Sequence, residues 1–256
     1  MSRAVASLRA TTLADVRYAA GVWHDPQVKP VLAVTGLAME ARIAAGPGVD
    51  VVCSGGDPAR LRGLLERLTP AHYCAVISFG ISGALDPTLR PGDVVVATQI
   101  KSDTDTVLLA PALTHALSDR LADFGRTATC APVASAEAPV IRAVTKAALR
   151  EQTGAAAVDT ESHVAARFAA DAGVPVCAVR VISDPAERSL PALAARALRP
   201  DGRVNLPAVC DSLAHDPRQI LLMIRAGLDA RRAFAALRRV RGLLQLGLGF
   251  GGVQLR

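Results

Sequence analysis

Five short segments place acidic, hydroxyl and glycine residues directly after apolar runs. They are Gly36-Leu-Ala-Met-Glu40-Ala-Arg42, Ser54-Gly55-Gly56-Asp57, Phe79-Gly80-Ile-Ser82-Gly83-Ala-Leu-Asp86, Asp159-Thr-Glu161-Ser-His163 and Ile182-Ser183-Asp184. A carboxylate can take or give a proton, and the amides of a glycine-rich turn before a helix can hold an anion. Taken singly, each segment also has an ordinary explanation as a tight turn, a helix cap or a solvated charge. Together they carry more weight, because ligands of open α/β sheets collect at the carboxyl ends of strands, where all five would face one crevice.

The elements that must position these residues are readable as alternating apolar runs and helical stretches. Strands are expected at 31–35, 49–53, 74–79, 94–98, 155–158 and 176–182, and helices at about 58–68, 112–124, 138–151, 161–172 and 217–241. Asp57-Pro58 is a helix start, since Asp57 can cap free amides and Pro58 suits the first helical position. Gly173 and Pro175 end the helix before the last strand. The alternation predicts an α/β fold: a single α/β/α layered domain around a twisted mixed central sheet, from residue 30 to 241. Residues 1–29 read as an N-terminal extension, and 242–256 as an apolar tail rich in Gly and Leu.

Composition narrows the function. The 256 residues are 51% hydrophobic, enough for a sizeable core, and only 3% aromatic, too few for base-stacking platforms. Nucleic acid is therefore not an expected partner. Cys53, Cys74, Cys130, Cys177 and Cys210 are scattered, and His24, His72, His115, His163 and His215 lie far apart, so neither a metal site nor a disulfide framework is expected. With no spanning segment in the sequence, a cytoplasmic protein is the expectation. The net charge of +6 is concentrated at the end: from Arg218 to Arg256 there are eight arginines and one acid, Asp229. In the helix predicted there, Arg218, Arg225, Arg232 and Arg239 recur every seven residues, while Leu221, Ile224, Leu228, Leu237, Val240 and Leu244 form an apolar side that can dock on the sheet. The cationic side is either a solvated face or a peripheral contact with anionic membrane.

In order and spacing, several segments resemble the nucleoside phosphorylase superfamily, and within it the methylthioadenosine/S-adenosylhomocysteine nucleosidases. They are Ala38-Met39-Glu40, Ser54-Gly55-Gly56, the run from Gly80 through Gly83 and Asp93 to Val96, Val158-Asp-Thr-Glu161, and the run from Gly173 to Asp184. The resemblance spans about residues 30–235. Leu-Ala-Val-Thr-Gly-Leu at 32–37, Glu-Ala-Arg-Ile-Ala-Ala-Gly at 40–46 and Leu-Arg-Pro-Gly-Asp at 89–93 are also similar to the hopanoid-associated phosphorylase group.

The resemblance implies cleavage of the bond between ribose C1′ and adenine N9 in a 5′-substituted adenosine, which leaves positive charge on the sugar and negative charge on the base. Asp184 would then be the acid that protonates adenine N7, oriented by Ser183, with burial helping it to hold a proton. Glu161 would bind the ribose hydroxyls with Asp159 in support, and Glu40 would activate water. The turn of Ser54, Gly55 and Gly56, the segment of Gly80, Ser82 and Gly83, and Arg42 are the candidates for holding phosphate or ribose. Pro139 and Val140 would flank the purine. No cofactor is implied, inorganic phosphate is the alternative acceptor to water, and a homo-oligomer is expected. The third-strand segment Ser78-Phe79-Gly80 lacks the arginine common in phosphorylases, which leans the reading toward water. The chain between Glu40 and Ser54 and the stretch after Thr98 are shorter than in the nucleosidases, which implies a more open 5′ side. Within the hopanoid-associated group the substrate would be adenosylhopane and the product ribosylhopane or its 1-phosphate. Two alternatives stay open: a methylthioadenosine/S-adenosylhomocysteine nucleosidase, and a non-catalytic nucleoside-binding module at a membrane surface.

Overall fold

A strand of consecutive apolar residues must be covered on both faces, and β1 (Val31–Thr35) is buried along its whole length. In the computed structural model, which describes residues 29–125, 128–191 and 219–244, β1 opens an alternation of strands and helices. It continues with α1 (Ala38–Ala44), β2 (Val49–Cys53), α2 (Pro58–Leu65), β3 (Ala75–Ala84), β4 (Val94–Lys101) and β5 (Thr106–Leu108). There follow α3 (Pro111–Arg120), β6 (Ala128–Ser135), α4 (Ala143–Thr153), β7 (Ala157–Asp159), α5 (Ser162–Ala170), β8 (Val176–Asp184) and α6 (Gln219–Leu244). The observed class is the mixed α/β one that the apolar runs predict.

The strands join in the order β2-β1-β3-β7-β6-β4-β5, and β8 pairs with both β3 and β4. Pairing is parallel for β1–β2, β1–β3, β3–β8, β4–β6 and β6–β7, and antiparallel for β3–β7, β4–β5 and β4–β8. Stepping from β3 through β8, β4, β6 and β7 returns to β3, so this part of the sheet closes on itself. Alternate residues of β1 point to opposite faces. Val31 and Ala33 join Ala41 of α1, Leu113 and Leu117 of α3, and Leu237 and Val240 of α6 in one core. Leu32 and Val34 join Leu61 and Leu65 of α2 and Val164, Ala165 and Ala169 of α5 in another.

Several expectations are corrected. Gly80, Ser82 and Gly83, expected in a loop after the third strand, lie inside β3, because β7 and β8 extend its pairing to Gly83 and Ala84. The sequence reading missed β5 and β6: β5 has three residues, and β6 is rich in Ala and carries Pro132, a weak strand signal. The helix expected from 138 begins at Ala143, leaving Pro139 and Val140 outside it. The C-terminal helix runs on to Leu244, past the boundary placed at 241. Within it Leu237, Val240 and Leu244 are buried as expected, whereas Ile224 and Leu228 are exposed together with Leu222. A helix of 26 residues is about 39 Å long, and among the described residues it is the C-terminal half that packs into the core. Residues 1–28 of the expected extension and 245–256 of the expected tail lie outside the described residues, as do Arg218, Cys210 and His215.

Candidate active site

Glu40 is positioned by its own helix start. It is the third residue of α1, and its Oε2 accepts hydrogen bonds from the amides of Gly36 and Leu37 at 2.8 and 2.7 Å. An acidic side chain in the first turn commonly satisfies free amides in this way. Oε1 accepts from the amide of Ile81 in β3 at 2.7 Å, which ties the helix to the neighbouring strand. Gly80 makes this approach feasible: a Cβ there would stand 2.5 Å from Glu40 Oε1 and 2.9 Å from Arg180 Nη1. Burial and the nearby negative charge of Glu161 push the Glu40 carboxyl up to about 7, against the opposing pull of Arg180 and the Ile81 and Leu37 amides.

Behind Glu40 lies Arg180 of β8, fully buried, as a charge in that position requires partners. Its Nε lies 2.7 Å from Asp159 Oδ2, its Nη2 3.4 Å from Glu161 Oε2, and Nη2 also donates to Ser78 Oγ. Asp159 is held in turn by the amides of Glu161 and Ser162 at 3.1 and 3.0 Å and by Ser135 Oγ at 2.6 Å. These contacts fix the turn from β7 into α5, and so the place of Glu161. Thr160 Oγ1 donates to Glu161 Oε1 at 2.7 Å. Burial raises the Glu161 carboxyl above the usual range, with Arg180 opposing and Asp159 adding to the rise.

Ser183 and Asp184 owe their place to an irregularity. The β3–β8 register pairs Ser82 with Ile182 but Gly83 with Asp184, so Ser183 is an extra residue in β8. A bulge re-aims the side chains around it, and both Ser183 and Asp184 face the same cavity, which regular alternation forbids. Ser183 Oγ lies 2.6 Å from Asp184 Oδ1 and 3.0 Å from the carbonyl of Ser82. Asp184 Oδ2 accepts from Lys146 of α4, a buried ammonium.

The cavity these residues share has a volume of about 310 Å³. Glu40, Asp159, Glu161, Ser183, Asp184, Gly56, Gly83, Pro139 and Val140, all singled out in the sequence, line it together with Ala226 and Ala230 of α6. The other sequence candidates are placed elsewhere. Arg42 is exposed, because two residues along a helix is about 200° of rotation and turns it away from Glu40. Ser54 is buried, with its Oγ accepting from the Gly56 amide at 3.1 Å, and it shapes the turn in which Gly55 and Gly56 take φ of 76° and 80°. Ser82 alternates away from Ile81 and Gly83 and does not line the cavity. A larger hollow of about 650 Å³ beside His163 and Glu137 contains none of Glu40, Glu161 and Asp184, so size alone does not locate the chemistry.

Arg180 and Lys146, which pair with carboxylates that line the cavity, were not singled out in the sequence. Arg180 had a signal: an arginine within the apolar run Val176 to Ile182 needs buried carboxylates for partners. Lys146 had none, being one of several basic residues on a predicted helix. Among the described residues there is no cluster of His, Cys, Asp and Glu suited to a metal ion.

Comparison with solved structures finds the same fold in other proteins. Futalosine hydrolase of Helicobacter pylori strain 26695 aligns with a TM-score of 0.63 at 15% identity, over 88% of this chain and 98% of that one. The 5′-methylthioadenosine/S-adenosylhomocysteine nucleosidase of Neisseria meningitidis, in complex with methylthio-immucillin-A, gives 0.63 at 16% identity over 85% and 99%. The Campylobacter jejuni enzyme of that type gives 0.61 at 13% over 85% and 99%. No curated protein matches the sequence. Residues 51–199 match the family model of the phosphorylase superfamily, more than half of the chain, and the protein belongs to that superfamily.

Proposed function

We propose that the protein cleaves the N-glycosidic bond of a 5′-substituted adenosine, releasing adenine, and that its substrate is adenosylhopane. The observation that carries the reading is the meeting of Glu40, Glu161 and Asp184 at one cavity. Asp184, oriented by Ser183, faces the purine and gives its proton to N7; Glu161 holds the ribose hydroxyls and lies opposite the positive charge that grows on the sugar; Glu40 takes the proton of the attacking water. Pro139 and Val140 flank the base. The superfamily and the fold shared with futalosine hydrolase and methylthioadenosine nucleosidases support this assignment of roles.

Water is favoured over phosphate as the acceptor by the charge of the cavity. Among the described residues its lining holds Glu40, Asp159, Glu161 and Asp184 and no lysine or arginine, and Arg180, which lies behind Glu40, is already committed to Asp159 and Glu161. A phosphate dianion needs the opposite arrangement.

The bulky substituent is supported by the wall that α6 provides. Ala226 and Ala230 line the cavity, and on the same stretch of helix Leu222, Ile224 and Leu228 are exposed beside exposed Arg225, Arg231 and Arg232. An apolar and cationic surface next to the pocket suits a substrate drawn from an anionic bilayer. Among the described residues no helix is long and apolar enough to cross a membrane, so contact would be peripheral. Replacing both Arg225 and Arg231 by serine is expected to weaken co-sedimentation with phosphatidylglycerol vesicles roughly 30-fold, at about 1 kcal/mol per basic residue. Unchanged sedimentation would return that face to a merely solvated one.

The deciding experiment is chromatography of adenine released from adenosylhopane and from methylthioadenosine in parallel, each with and without phosphate. Release from adenosylhopane, independent of phosphate, is the expected result. A strong preference for methylthioadenosine would make this a nucleosidase of small 5′-substituted adenosines, and release from neither would leave a nucleoside-binding module.

A further inference from the structure

We propose that Lys146 is a positioning residue that aims Asp184 at the purine and stabilises its carboxylate once the proton has passed to N7, so that the site selects a base carrying hydrogen on N7. The inference rests on the purine reading of the cavity and assigns a role to a residue which that reading leaves unused.

Lys146 is fully buried in α4, with its Nζ at the start of the segment that follows β8. An ammonium has three hydrogens and no lone pair. Lys146 Nζ meets three acceptors: Asp184 Oδ2, the carbonyl of Pro185 at 2.9 Å and the carbonyl of Arg188 at 3.2 Å. All three hydrogens have a place, whereas a neutral amine would turn its lone pair on one of those oxygens. The geometry is therefore built for the charged form, and burying a charge this completely is costly unless partners of this kind surround it. Gly83 keeps the space open, since a Cβ there would lie 3.3 Å from Asp184 Oδ2 and 3.6 Å from Lys146 Cε.

Two consequences follow for Asp184. Its aim is fixed, because Lys146 bonds both to the carboxylate and to the backbone on its C-terminal side, where Leu190 closes the cavity wall. Its preference for a ligand is fixed as well. As the base leaves the sugar, the Asp184 O–H bond breaks and the N7–H bond forms, and Lys146 stabilises the carboxylate left behind. That carboxylate offers lone pairs, which attract the new N7–H and repel the N7 lone pair of an uncharged nucleoside, so Lys146 favours the departing base over the bound substrate, as a site matched to the transition state requires.

The test is calorimetric binding of adenine and of 9-deazaadenine, whose N7 carries hydrogen, and it needs no turnover. The wild-type protein is expected to bind 9-deazaadenine on the order of tenfold or more tightly than adenine, the scale of one hydrogen bond to a charged group. In Lys146→Met the ratio is expected to fall to within about threefold, near the floor set by Asp184→Asn, while Lys146→Arg retains it. Circular dichroism establishes that each variant is folded, and if Lys146→Met is not, Lys146→Gln is read in its place. A folded Lys146→Met or Lys146→Gln with the wild-type ratio would overturn the proposal and leave Lys146 as packing. Equal binding of the two bases by the wild type would overturn it too, with the purine site intact. Binding of neither base by the wild type would overturn the purine reading itself, and this role with it.

Discussion

Glu40→Gln is expected to slow adenine release by about 10²- to 10⁴-fold, the range spanned by a positioned base. Both carboxylate oxygens of Glu40 are already aimed by backbone amides, from Gly36 and Leu37 on one side and Ile81 on the other. Little reorganisation is then needed when it accepts a proton from water. Its carboxyl is pushed up to about 7 by burial and by Glu161. A base works in its ionised form, so the wild-type rate is expected to rise with pH through this value and to level off above it. Initial rates of adenine release across the neutral range check both statements. The Glu40→Gln protein should lack that rise in its residual activity and should still bind adenine. A variant that turns over at the wild-type rate, or a wild-type profile flat through pH 7, would remove Glu40 from the role of base.

Arg180→Met is expected to lower the unfolding free energy by about 3 to 5 kcal/mol at mildly alkaline pH, the cost of leaving a buried charge without its partner. Arg180 is fully buried against Asp159 and Glu161, and its charge also lowers the carboxyl of Glu40. Methionine fills much of the volume, so the loss is mainly electrostatic. The sign with pH follows from the same contacts. Burial holds the carboxyls of Glu40 and Glu161 above their ordinary values, and both rise further once Arg180 no longer opposes it. On acidification they take up protons in the folded state and the uncompensated charge disappears, so the deficit should shrink as the pH falls below neutral. Urea denaturation of both proteins at two pH values measures it. A deficit under 1 kcal/mol, or one that grows in acid, would mean that the cluster is not held together by this guanidinium.

The carboxylates were legible because chemistry and topology coincide in the chain. Glu40, Asp159, Glu161 and Asp184 each follow directly on an apolar run, and the ends of such runs in an α/β fold face a common crevice. Arg42 was misread because a linear motif hides helical rotation: two residues after Glu40 is nearly the opposite side of α1, and the side chain is exposed. The segment of Gly80, Ser82 and Gly83 was misread for another reason. Glycines usually mark a turn, but here Gly80 leaves room within a strand for Glu40 and Arg180, and Gly83 for Asp184 and Lys146. The apolar side of α6 was only half right, since helical periodicity says which residues share a face and not how far the sheet extends beneath it.

What the sequence by itself determined is the α/β class, the strands that carry the site and the acids at their ends, because apolar periodicity and helix-start chemistry are local. The pairing of Lys146 with Asp184, of Arg180 with Asp159 and Glu161, and the closure of β3, β8, β4, β6 and β7 were decided by the tertiary structure alone. Partners 38 residues apart, such as Lys146 and Asp184, leave no periodic trace. A buried charge says only that it needs a counter-charge, and the fold selects which of the chain's acids comes within reach.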